Sequence, residues 1–152
     1  MISRTLVIIG ASILLTLSGV SMASATTAEG SQNPDLTVSV SLASRNPMNP
    51  DEATIGDTVD VAISVKNNKP WSFQFRIEEV LLRITLQAPS LQPFTVSGTI
   101  FLLPDQTVRI AFDFPVVQFL PPGPYSLTLE ATEVRDPSAP QPSSATAMLT
   151  IR

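Results

Sequence analysis

Two residue types that chemistry at neutral pH relies on are missing: the 152-residue chain has no histidine and no cysteine. Without imidazole the usual general base is gone, and without a thiol the usual soft nucleophile is gone, so the commonest hydrolase arrangements are excluded. Disulfides, a lipid-bearing cysteine and thiolate or imidazole metal sites are excluded with them. Aromatic side chains are sparse, with one Trp, one Tyr and seven Phe. Glycine is also sparse (6) beside an abundance of proline (14), a balance that suits turns and edge strands and disfavours helices. Nine basic residues stand against thirteen acidic ones, for a net charge of −4. With no basic run, this argues against a nucleic-acid or anionic-membrane partner. No catalytic residue, no cofactor and no metal-ligand set is legible, and the chain is expected not to be an enzyme.

The first residues carry an address. Arg4 precedes an apolar run over residues 6–17, Ser18-Gly19 loosens it, and Ala23-Ser24-Ala25 places small residues where a signal peptidase reads. A bilayer needs about 20 apolar residues, so this run is short for a retained anchor. Residues 1–25 are therefore expected to be a secretory signal cleaved after Ala25, with no membrane span in the mature chain. The product would be extracytoplasmic: periplasmic, cell-surface or secreted. Residues 26–34 are small and polar and read as a flexible leader, punctuated by Pro34; residues 35–152 read as one domain.

That domain alternates. Val59, Val61, Ile63 and Val65 interleave with Asp60, Ala62, Ser64 and Lys66, between turn chemistry at Gly56-Asp57 and Asn67-Asn68. This is expected to be the central strand. Leu36, Val38, Val40 and Leu42 form another period-two run, followed by a long turn over residues 43–55 with two Asn-Pro pairs. Trp71, Phe73, Phe75 and Ile77 alternate, and Val80, Leu82, Ile84 and Leu86 continue, so residues 71–87 hold one strand or two with a bend near Glu78-Glu79. A weaker strand spans residues 94–103, where Gly98 suggests a bulge. Val108, Ile110, Phe112 and Phe114, then Tyr125, Leu127, Leu129 and Ala131, then Ala145, Ala147, Leu149 and Ile151 complete the set. Seven or eight strands with frequent turn signals and no helical period predict an all-β, antiparallel Greek-key, Ig-like β-sandwich.

Pro34-Asp35-Leu36-Thr37-Val38, Gly56-Asp57-Thr58-Val59-Asp60-Val61 running into Val65-Lys66-Asn67-Asn68, and Pro122-Gly123-Pro124-Tyr125-Ser126-Leu127-Thr128-Leu129 resemble bacterial and archaeal surface Ig-like domains of the CARDB-like, cell-adhesion-related class. The resemblance covers residues 34–152. It implies an extracellular β-sandwich used for adhesion, spacing or assembly, usually without catalysis.

Several residues invite a sharper reading. Tyr125 opens the penultimate strand, where sandwiches keep a tyrosine corner whose hydroxyl bonds back to upstream backbone; ligand stacking is the alternative. Trp71, Phe73 and Phe75 on one strand face are either core, with Trp71 as the usual plug, or a platform for sugar rings. Asp51, Glu52, Asp57 and Asp60 lack the spacing of a Ca²⁺ loop and read as surface charge. Glu78-Glu79 with Glu130, Glu133 and Asp136 offers a remote glycosidase pair. The leader over residues 26–33 could donate a strand to a neighbour.

Three functions follow as expectations. The first is an exported, non-catalytic Ig-like domain with a structural, adhesive or protein-binding role at the cell envelope or in the secreted space, whose partner is another protein or its own copies. The second is a carbohydrate-binding module using an aromatic face, which needs Trp71 or a neighbouring aromatic exposed. The third is a secreted enzyme inhibitor or accessory subunit acting through the proline-rich loop over residues 115–124, whose prolines reduce the ordering cost of binding.

Overall fold

The computed structural model describes residues 6–7, 26–72, 74, 76–135 and 142–152. Every regular element among them is a strand: β1 (Leu6–Val7), β2 (Thr26–Gly30), β3 (Leu36–Ser44), β4 (Glu52–Ala53), β5 (Thr58–Asn67), β6 (Glu78–Gln87), β7 (Phe94–Leu102), β8 (Thr107–Pro115), β9 (Gly123–Glu133) and β10 (Ser143–Ile151). They form two sheets, ordered β1-β7-β6-β9-β10-β4 and β2-β3-β5-β8. Seven strands are long, nine to eleven residues each. These are the seven or eight expected, in the Greek-key crossover order of an Ig-like sandwich, because β9 returns to lie beside β6 and not beside β8. The long ladders are antiparallel; only the two-residue pieces β1 and β4 pair in parallel, with β7 and β10.

The period-two reading holds best in β3, β5, β9 and β10, where inward and outward positions alternate almost without fault. The core consists of Leu36, Val38, Val40 and Leu42 of β3 and Val59, Val61, Ile63 and Val65 of β5. They face Val80, Leu82, Leu127, Leu129, Ala145 and Leu149 of the other sheet. As expected, β5 is an interior strand, paired on both sides. Its ends follow from short polar side chains that satisfy loop backbone. Gly56 takes φ +95°, open to glycine at little steric cost. Asp57 Oδ2 accepts from the Thr54 N–H at 2.8 Å. At the far end, buried Asn67 donates to the Leu103 carbonyl and accepts from the Lys69 N–H, while Asn68 donates to the Pro34 carbonyl and Thr37 Oγ1.

Three expectations change. First, residues 26–33 are not a loose leader. Thr26–Gly30 pairs with β3 from Thr26 opposite Leu42 to Gly30 opposite Val38. The following residues are tied to β10: the Asn33 N–H donates to Ser143 Oγ, Ser143 Oγ donates to the Leu36 carbonyl at 2.7 Å, and Gln32 Oε1 accepts from the Ser144 N–H. Polar composition here marks backbone satisfied by side chains, which composition alone cannot tell from a solvated chain. Second, β6 begins only at Glu78. Its partners run out there, Glu78 standing opposite Leu102 at the end of β7 and Val80 opposite Glu133 at the end of β9. Residues 71, 72, 74, 76 and 77 accordingly lie outside any strand, and Phe73 and Phe75 lie outside the described residues. Third, Gly98 lies opposite Leu82 in an uninterrupted register, with no bulge against β6.

Candidate interaction surfaces

Tyr125 forms the expected corner. It is buried at the start of β9, and its hydroxyl donates to the Pro121 carbonyl at 2.9 Å, closing the turn that leads into the strand. Burial raises its pKa above the ordinary tyrosine value. A buried hydroxyl committed to backbone leaves no ligand-stacking face, so Tyr125 is structural.

Trp71 is the clearest correction. It lies outside the sheets and is 58 % exposed, so it is not the core plug. Of the platform drawn from Trp71, Phe73 and Phe75, Trp71 sits in the link before β6, and Phe73 and Phe75 lie outside the described residues. The volume a plug would occupy is filled by aliphatic side chains, Leu36, Leu102 and Leu129 being the largest fully buried.

The carboxylates disperse into ion pairs. Glu52 pairs with Arg152; Asp60 lies 2.7 Å from Arg45, which also reaches Asp113 at 3.2 Å. Asp57 serves the Gly56 turn. The acidic residues near the start of β5 thus do not converge on a cation. Glu78 and Glu133 do converge, on Lys69, at 3.2 and 3.0 Å, with Asp35 at 3.6 Å. Glu133 is 4 % exposed and its Oε1 lies 3.0 Å from Lys69 Nζ, so the ammonium is its compensating charge. Burial pushes the Lys69 pKa down, but its contacts with Glu133 and Glu78 outweigh that and the net direction is up. Lys69 bound to both carboxylates is a structural tie between the 68–70 link, β6 and the end of β9. Glu79 pairs with Arg135 and Glu130 with Arg83; Asp136 lies outside the described residues. The signal for Glu133 was present in the sequence: period two from Tyr125 through Ala131 places it on the inner face.

The outward face of the larger sheet is lined with hydroxyls. One rung runs Thr95, Thr85, Thr128, Thr146 across four strands; the next runs Ser97, Arg83, Glu130, Ser144. Thr85 and Thr95 hydroxyls are 3.1 Å apart, those of Thr128 and Thr146 2.8 Å. Thr95, Thr85, Thr128, Ser97, Arg83 and Glu130 of these rungs line a shallow depression of about 610 Å³. The hydroxyls bond to one another, as expected for threonines paired across strands.

A different surface opens where the sheets diverge. The register puts Leu86, Ile84, Phe94 and Val96 on the inward side of β6 and β7, and Val108, Ile110, Phe112 and Phe114 on the inward side of β8. Yet Phe94 is 65 % and Phe112 52 % exposed, Leu86 and Val96 are also exposed, and Ile84, Val108, Ile110 and Phe114 are only half-buried. Core-facing side chains on the β7 and β8 flank are left in contact with solvent. Nearby in sequence, the 115–124 loop is pinned at its base by the Gly56 N–H donating to the Val116 carbonyl and the Val116 N–H donating to the Asp57 carbonyl, while Phe119 projects outward.

No protein-family model and no curated protein matches the chain. Among solved structures, the chain is similar to the C-terminal domain of Wzt, at 14% identity over 74% of this chain and 70% of that one, with a TM-score of 0.47. It is also similar to the CARDB domain of the PF1109 protein from Pyrococcus furiosus, described in complex with di-metal ions, at 15% identity, 76% and 87% coverage, and a TM-score of 0.42. A β-glucosidase from Listeria innocua matches at 13% identity over 74% of this chain and 16% of its own length, with a TM-score of 0.42. The assignment of a β-sandwich rests on the two sheets described above.

Proposed function

We propose that this chain is an exported, non-catalytic Ig-like module of the CARDB-like type that binds protein through the flank formed by β7 and β8. The observation that carries the reading is the apolar rim of that flank: Phe94, Val96, Leu86 and Phe112 occupy inward positions and remain exposed. Water contact by several large apolar side chains on one flank is the surface signature of a binding site. The carboxylates that could serve catalysis are held in ion pairs, which supports a role without chemistry. Export is supported by the pattern over residues 1–25 and places the partner at the cell envelope or in the secreted space.

The test has two steps. Mass spectrometry of the chain recovered outside the cytoplasm of an expressing bacterium should show an N-terminus at Thr26; a product retaining Met1 contradicts export with cleavage. Labelled mature chain should then bind envelope preparations in a manner abolished by protease treatment of the envelope and weakened by Phe112→Ser. Binding that survives protease but is lost after periodate oxidation of glycans contradicts a protein partner. That outcome would favour a carbohydrate-binding role, for which the exposed Trp71 is the specific observation. In that case Trp71 emission should shift on addition of the glycan.

A further inference from the structure

The β8 strand ends its sheet. It pairs with β5 along Thr107–Pro115, and among the described residues nothing pairs with its other side. A nine-residue free edge with an apolar inner face invites another strand, and natural proteins normally obstruct such edges. Here the side chains are arranged symmetrically about Ala111. Arg109 and Asp113 flank it at two residues on the outward face; Ile110 and Phe112 flank it at one residue on the inward face, and Val108 and Phe114 at three. Arg109 forms no ion pair among the described residues, while Asp113 lies 3.2 Å from Arg45, the residue that follows β3.

We propose that β8 pairs with β8 of a second copy, antiparallel, about a two-fold axis through Ala111. An isologous contact requires a surface complementary to itself. In this register Arg109 of each copy stands opposite Asp113 of the other, so two opposite-charge cross-strand pairs form at once. On the inner face Ile110 meets Phe112 and Val108 meets Phe114, which covers apolar surface that the single chain leaves wet. Shifting the register by two residues in either direction breaks both charge pairs: one shift sets Arg109 opposite Ala111, the other sets it opposite Pro115. The two four-stranded sheets then become one continuous sheet across the dimer. This deepens the protein-binding reading above by naming the partner as a second copy.

The absence of cysteine makes the test direct, because any introduced thiol is the only one in the chain. Ala111→Cys places two thiols on the axis, where facing Cα atoms of an antiparallel pair lie about 4.5–5.5 Å apart. That separation suits a disulfide. Thr107→Cys places its two thiols about 27 Å apart, eight residues at about 3.4 Å each. Under mild oxidation of the full exported chain, Ala111→Cys should convert to cross-linked dimer and Thr107→Cys should not. By sedimentation, the unmodified chain should be a dimer. Arg109→Asp should weaken it about tenfold or more by facing two carboxylates, and Arg109→Asp with Asp113→Arg should restore it. Thermal melting by circular dichroism confirms that each variant is folded. A monomer at all concentrations, equal cross-linking at both positions, or an Arg109→Asp dimer as tight as the parent overturns the proposal. A monomer that still binds protease-sensitive sites on the envelope overturns self-pairing alone and leaves the protein-binding function standing.

Discussion

The two flanks of the sandwich are built from the same period-two pattern and end up in opposite states. On the flank where β3 faces β10, the inward residues Leu36, Val38, Val40 and Leu42 are buried, and β9 and β10 answer them with small residues, Ala131, Ala145 and Ala147. Alanines let the sheets approach closely. The same flank is tight enough that a Cβ on Gly30 would meet the Ser144 carbonyl oxygen at 1.8 Å. On the flank of β7 and β8, inward positions hold Phe94, Val96, Phe112 and Phe114, and the first three stay exposed where β8 ends its sheet. The difference teaches that alternation specifies which face turns inward, while the size of the inward residues and the presence of an opposing strand decide whether that face is dry. In the proposed reading, stability resides on the first flank and recognition on the second.

That contrast can be broken from the stable side first. Leu129→Ala removes a fully buried side chain between the sheets and should cost about 3 kcal/mol in urea unfolding, the transfer loss plus the cavity. If it costs no more than a surface change, the closed flank is not where stability resides. Lys69→Met strips the compensating charge from buried Glu133 and should cost about 3 kcal/mol near neutral pH, measured the same way. Its pH signature separates it from a packing loss. Because the folded-state pKa of Lys69 is raised, the contribution is complete below the ordinary lysine value of about 10.4 and fades as pH rises through the higher folded value. Tyr125 behaves alike: its raised pKa means that stability falls as pH climbs above about 10. Tyr125→Phe should cost about 1 kcal/mol at neutral pH, the worth of the bond to Pro121, and should flatten part of the alkaline loss. The smallest effect belongs to the open flank. Phe112→Ser should change the stability of the dilute chain by less than about 1 kcal/mol while reducing binding of a hydrophobic dye. A loss as large as that of Leu129→Ala would erase the distinction between the flanks.

Much of the architecture was legible because alternation survives wherever one face is fully covered. The apolar residues of β3, β5, β9 and β10 turned inward as read, and Tyr125 took its corner because Pro-Pro-Gly-Pro before it fixes the turn. The failures share a cause. The sequence alternates from Trp71 onward, yet a strand also needs neighbours, and the ladders of β6 with β7 and β9 begin only at Glu78 and Val80. Residues 26–33 look unstructured because Thr26–Gly30 lack an apolar alternation although they pair with β3, and residues 32–33 are held by bonds to Ser143 and Ser144 across 110 residues or more of chain. The candidate surface was the least legible feature. Phe112 and Leu129 both occupy inward positions, but Leu129 lies on interior β9 and Phe112 on edge strand β8, a placement that alternation alone does not reveal.

Both β2 and β8 end their sheet; β8 is proposed as the interacting edge, while the chain just after β2 is tied to β10 through Gln32 and Asn33. Amide hydrogen exchange of the unaltered exported chain, followed as concentration rises, tests it without any substitution. Exchange over residues 107–115 should slow markedly with concentration while that over residues 26–30 stays constant. Equal protection of both edges at every concentration, or slowing confined to residues 26–30, would contradict the account.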